Sequence, residues 1–114
     1  MYEFVGGVNL PAMGGYRSFS TWPLGELTID PPKVRVGLRG FFRWFADVTP
    51  FEADANDVQA QAIRRGMNNG VRLKIADGAW VVFWSRPQPV LDALERAGAT
   101  VDRRVEAVKL SDLM

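Results

Sequence analysis

Neither cysteine nor histidine occurs in the 114 residues. Without cysteine there is no disulfide framework and no thiolate nucleophile, and the chain suits a reducing compartment. Without histidine the usual group that titrates near neutrality is missing, which removes Ser-His and Cys-His nucleophile systems. Charge of one sign is lacking too: fourteen Lys and Arg against thirteen Asp and Glu leave a net +1 at pH 7. Such a balance gives no general electrostatic case for nucleic acid or an anionic bilayer, so any such attraction has to be local. No apolar run approaches the roughly 18 residues of a membrane span. The opening MYEFVGGVNL has neither the basic nor the apolar region of a secretion signal. The length fits one small domain with one core, and the expected location is the cytoplasm.

What is present is organised around Gly70–Gly98. Val71, Leu73 and Ile75 alternate with Arg72 and Lys74, the period of a strand with one dry and one wet face. Asp77-Gly78 is a strong hairpin signal, because a tight turn needs positive φ. Trp80-Val81-Val82-Phe83-Trp84 is a continuous apolar run, expected to be a strand buried on both faces, with the following helix as cover. Pro87 and Pro89 suit a helix start, Val90, Leu91, Leu94 and Ala97 form its apolar stripe, and Gly98 stops it. Asp92 and Arg96 are spaced to pair on its far face.

Upstream, the two Gly-Gly pairs and Pro11 predict an irregular N-terminal arm over 1–16, followed by a single domain over 17–110. A glycine-rich phosphate loop would need a helix N-terminus or a lysine after it, and neither follows. Arg17–Ile29 reads as a strand bent at Trp22-Pro23, Asp30-Pro31-Pro32 as a turn, and Lys33–Leu38 as the returning strand. Val34, Val36 and Leu38 face inward there, Lys33 and Arg35 outward. Ala46–Phe51 suits a third strand ending at Pro50. Residues 52–66 fit helix and strand equally, Met67-Asn68-Asn69-Gly70 reads as a turn, and Ala99–Leu110 fits either a short strand or a packed tail.

Few groups here can carry chemistry. Glu52, Asp54 and Asp57 crowd together but miss the calcium-loop spacing, so they read as a solvated acidic turn, and no catalytic, metal or cofactor site is assigned. Gly37-Leu38-Arg39-Gly40 matches the G-x-x-G of KH domains, yet a strand precedes it where that fold has a helix. The candidate binding surface is basic and aromatic: Lys33, Arg35, Arg39, Arg43, Arg72 and Lys74, with Phe41, Phe42 and Trp44. Aromatic residues between arginines at a loop tip can enter a bilayer interface or stack on bases. Equally, they can be core residues of the next strand.

Three phrases carry a resemblance: Trp22-Pro23-Leu24-Gly25-Glu26-Leu27-Thr28-Ile29, Gly70-Val71-Arg72-Leu73, and Asp77-Gly78-Ala79-Trp80-Val81-Val82-Phe83-Trp84-Ser85 before a proline-introduced helix. Across Phe19–Gly98 the chain resembles a pleckstrin-homology-like (PH-like) domain of the bacterial kind. The resemblance implies a mostly β fold, a bent antiparallel barrel of about seven strands closed by a C-terminal α-helix at roughly 87–97. It also implies a strand within residues 52–66. The basic phosphoinositide pocket of eukaryotic members has only Asp30-Pro31-Pro32-Lys33 at the matching loop. No catalytic residue and no cofactor is implied. The expected function is therefore a non-enzymatic interaction module, for protein recognition or self-association. The alternative is peripheral binding to anionic lipid through Arg39, Phe41, Phe42, Arg43 and Trp44. Nucleic acid is not an expected partner.

Overall fold

The structure, a computed structural model, describes residues 2–11, 17–38 and 51–109. Among these residues eight strands are formed: β1 (Tyr2–Pro11), β2 (Arg17–Asp30), β3 (Lys33–Leu38), β4 (Phe51–Asp54), β5 (Gln59–Arg65), β6 (Asn68–Lys74), β7 (Trp80–Trp84) and β8 (Thr100–Ala107). Among the described residues one helix, α1 (Pro87–Ala97), stands between β7 and β8, and a 3-10 turn (Ala55–Asp57) joins β4 to β5. The fold is mostly β with one helix following the hairpins. The strands form one sheet in the order β4-β3-β2-β1-β7-β6-β5-β8, not closed, with β4 and β8 as its edges.

The sheet is curled so that nearly every strand contributes to one core. Val8, Leu27, Ile29, Val34, Val36, Val71, Leu73, Val81 and Phe83 meet Val90, Leu91 and Leu94 of α1 there. α1 touches β2 as well as β5, β6 and β8, so it bridges parts of the sheet that are far apart in strand order. Each large side chain buried this way is worth about 1.5–3 kcal/mol relative to exposure. The helix ends as its sequence dictates. Gly98 takes φ 113°, its amide donates to the Glu95 carbonyl at 3.1 Å, and the Ala99 amide donates to Leu94 at 3.0 Å. This is a Schellman cap, with Ala99 and Leu94 both in the core.

The β6–β7 hairpin also follows its signal. The Ile75 carbonyl accepts the Gly78 amide, the Ile75 amide donates to Ala79, and Asp77 Oδ1 accepts the Ala79 amide at 2.8 Å. Gly78 has φ 94°, the left-handed position of a three-residue loop. The β2–β3 hairpin closes with Asp30 opposite Lys33.

Several expectations need correction. Residues 2–11 are not an irregular arm: β1 lies between β2 and β7 near the middle of the sheet. Its glycines serve close approach rather than looseness. Gly6 lies opposite Gly25, and a Cβ on Gly25 would stand 2.5 Å from Val8 and 2.6 Å from the Gly6 carbonyl. At this crossing β1 leaves its register with β2, and residues 21–24, including Trp22-Pro23, bulge opposite the single residue Gly7. Pro23 thus falls within a bulge.

Of the two readings open for residues 52–66, the strand that the resemblance implies is formed over 59–65, because β5 is paired on both sides and that pairing overrides the helix propensity of its Ala and Gln residues. The β5–β6 turn is Gly66-Met67, and Asn68–Gly70 already belong to β6. The tail forms β8, parallel to β5. Of the third strand expected over Ala46–Phe51, residues 46–50 lie outside the described residues, and β4 begins at Phe51.

β7 is buried on both faces, as its composition predicts, but the helix covers only the inner one. Val82 on the outer face packs in a second cluster with Ile63 and Val108, flanked by Trp80 and Trp84. Asp92 does not pair with Arg96 along the helix. It accepts a bond from Arg103 of β8 at 2.7 Å, while Arg96 reaches the Tyr2 hydroxyl at 3.5 Å.

Candidate functional site

The basic residues of the first hairpin are neutralised by the strand beside them. Lys33 lies opposite Asp54 and Arg35 opposite Glu52 in the β3–β4 register. Lys33 Nζ stands 2.8 Å from Asp54 Oδ1, and Arg35 Nε stands 3.1 Å from Glu52 Oε1. The bond from Lys33 to Asp54, together with the charge of that carboxylate, raises the lysine's pKa above its ordinary value. The same pairs take up two members of the acidic cluster, leaving Asp57 on the 3-10 turn. Among the described residues no group of three acidic side chains is placed to hold a metal ion. Exposed pairs of this kind contribute little to stability, typically below about 1 kcal/mol each.

Arg39, Phe41, Phe42, Arg43 and Trp44 lie outside the described residues. Gly37 and Leu38, half of the G-x-x-G match, are buried in β3, with Gly37 opposite Glu26. β3 and β6 are separated by β2, β1 and β7. At about 4.8 Å per strand the two basic pairs are too far apart to merge into one patch.

The second basic pair has a different setting. Arg72 and Lys74 project from the outer face of β6, away from the core that Val71 and Leu73 enter. Opposite them on β5 stand Gln61 and Gln59, and beyond these on β8 stand Asp102 and Thr100. These six side chains line a trough of about 450 Å³. A second depression of about 400 Å³ adjoins it on the β7 side, where Trp80 and Gly78 join Arg72 and Lys74. Trp80 thus lines a surface, on the face opposite the helix rather than between sheet and helix.

β8 shapes the far wall. Its register with β5 slips between Gln61 and Ile63, so residues 103–105 bulge opposite Ala62. Asp102 organises the bulge by accepting the Arg104 amide at 3.0 Å and the Arg104 guanidinium at 3.1 Å. Those bonds hold its carboxyl below the usual aspartate range. Gln61 Nε2 donates to the Arg104 carbonyl at 3.0 Å. Arg103 turns to the helix and bonds Gln88 and Asp92, each at 2.7 Å. Past the bulge, Glu106 Oε2 meets Arg72 Nη2 at 2.8 Å.

Sequence reasoning found Arg72 and Lys74 through their alternation, and missed Gln59, Gln61, Thr100, Asp102 and Glu106. The only available signal was the alternation of Gln59 and Gln61, which helix propensity masked.

Among the described residues no helix is long and apolar enough to cross a membrane. The chain matches no protein-family model, no curated protein and no solved structure.

Proposed function

We propose that the protein is a non-enzymatic interaction module, a PH-like scaffold that recognises a polypeptide through the trough over β5, β6 and β8. The partner is another protein or a second copy of the chain. Support for the scaffold comes from the strand order β4-β3-β2-β1-β7-β6-β5 with a helix after β7 that packs its apolar face on the core. A bent seven-strand barrel with a closing helix has that succession.

The lining of the trough carries the functional reading. Gln59, Gln61, Thr100, Asp102, Arg72 and Lys74 offer amide, hydroxyl, carboxylate and cationic groups over one open floor. Sites for small molecules are mostly apolar and enclose their ligand, with a few polar groups fixing its orientation. Here the trough is open, its lining is as polar as it is apolar, and the polar groups repeat with the strand period, a spacing suited to an extended chain. Support against catalysis is chemical: the sequence has no histidine or cysteine, and Glu52 and Asp54 are held in ion pairs.

A photo-reactive residue in place of Gln61 tests this in cells. The expected result is a crosslink to one defined polypeptide that disappears when Lys74→Glu is added, with none from the same residue placed at Asp30. No crosslink from Gln61, or equal crosslinking from Asp30, overturns the reading. Salt-sensitive pelleting with anionic vesicles in the absence of a crosslink would put the lipid alternative in its place.

A further inference from the structure

We propose that the segment recognised at this trough is an extended acidic one, whose carboxylates engage Lys74 and Arg72 and displace Glu106. The inference rests on the polypeptide-binding reading above and names the chemistry of the partner. Three observations support it.

The first is spacing. Arg72 and Lys74 are two residues apart on one face of one strand. They therefore stand about 7 Å apart, the separation of every second side chain in an extended peptide. Gln61 and Gln59 repeat the same interval on β5, directly opposite. An extended segment lying along β6 thus meets two cations on one side and two amides on the other, with Trp80 at the end of the row opposite Lys74.

The second is occupancy. Arg72 already holds a carboxylate, Glu106, at 2.8 Å, and that glutamate is half exposed at the rim of β8. It occupies the position a ligand carboxylate would take and competes with one. Lys74, by contrast, is exposed and has no carboxylate within ion-pair distance among the described residues. The shelf is thus half filled from within.

The third is charge. Residues 59–114, the part of the chain that carries the trough, hold nine of the fourteen Lys and Arg but only six of the thirteen Asp and Glu, and of the two carboxylates beside the trough Glu106 is bonded to Arg72 and Asp102 to Arg104. Complementary charge steers an acidic partner to this face and weakens as salt screens it.

The test uses the full chain labelled for NMR, with four probes: a short peptide with glutamate at every second position, its glutamine counterpart, phosphatidylserine vesicles and single-stranded DNA. The acidic peptide is expected to move the Trp80 indole and the Gln59 and Gln61 side-chain amides saturably, and the glutamine peptide is not. Lys74→Glu should weaken the acidic peptide about ten-fold. Glu106→Gln should tighten it, because the internal competitor is gone, an effect opposite to that of merely loosening β8. No saturable shift, equal binding of the glutamine peptide, or weaker binding by Glu106→Gln overturns the proposal, as does tighter binding of vesicles or DNA at the same residues. If the Gln61 crosslink is found but the acidic peptide does not bind, the acidic partner falls and the interaction module stands. If both fail, both readings fall.

Discussion

Trp84 lies across Gly70 on the outer face of the sheet. A Cβ on Gly70 would stand 2.7 Å from the indole Cε3 and 2.9 Å from the Phe83 carbonyl oxygen. One of those neighbours is backbone, so a side chain at residue 70 cannot be accommodated by rotating the ring alone. Gly70→Ala should therefore destabilise the protein by about 1–3 kcal/mol, the usual cost of overpacking. Thermal melting measures it, and an unchanged midpoint would contradict the close approach of the two strands.

Leu94 is fully buried where α1 meets the sheet. Leu94→Asp places a carboxylate there with no partner and should abolish cooperative melting. Leu94→Ala should leave a folded protein weakened by about 2–5 kcal/mol. A Leu94→Asp protein that still melts cooperatively would refute the packing of the helix.

Gly78 has φ 94° with open space around it, so its substitution is conformational rather than steric. Gly78→Val should cost about 1–3 kcal/mol, and Gly78→Asn less, since asparagine visits left-handed backbone more readily. Denaturant unfolding of both variants gives the order. Equal losses would mean that the side chain, not φ, matters.

Asp102 is held below the ordinary aspartate range by its bonds to Arg104. A depressed folded-state pKa contributes stability that is complete above the unfolded value and is lost as pH falls through the folded one. The bulge in β8 should accordingly persist below about pH 3.9, the unperturbed aspartate value, and loosen only at still lower pH. Carboxyl NMR titration should find the Asp102 midpoint depressed, and returned to the ordinary range in Arg104→Ala. A midpoint unaffected by that substitution would contradict the bond.

The parts of the fold legible in the sequence are those whose own residues decide them. Asp77-Gly78 fixes its hairpin by local φ, and Val90, Leu91 and Leu94 set the helix face by spacing. β1 was illegible, and β5 open to two readings from its own residues, because distant partners decide them: Gly6 is small for Gly25 and Trp84, and the Ala residues of β5 are strand only between β6 and β8. β8 gave little signal because most of it is exposed, Val105 included. The same divide runs through the site. That Lys33 and Arg35 point outward could be read from alternation, whereas their carboxylates arrive through the register of β4. Half of the trough was equally hidden, since its far wall belongs to strands that the sequence left open.

The parallel pairing of β8 on β5 sets an order of events on the ribosome. Gln59 finds its β8 partner only in Thr100, after both later strands and the helix have been made. At about 5–20 residues per second, the outer row of β5 amides waits roughly 2–10 s for its cover. An antiparallel strand from a neighbouring nascent chain would pair there slightly better, residue for residue, than the parallel one that belongs. What favours β8 is its tether: Gly98 and Ala99 hold it to a helix already seated on β5, so it arrives at a local concentration no stranger can match.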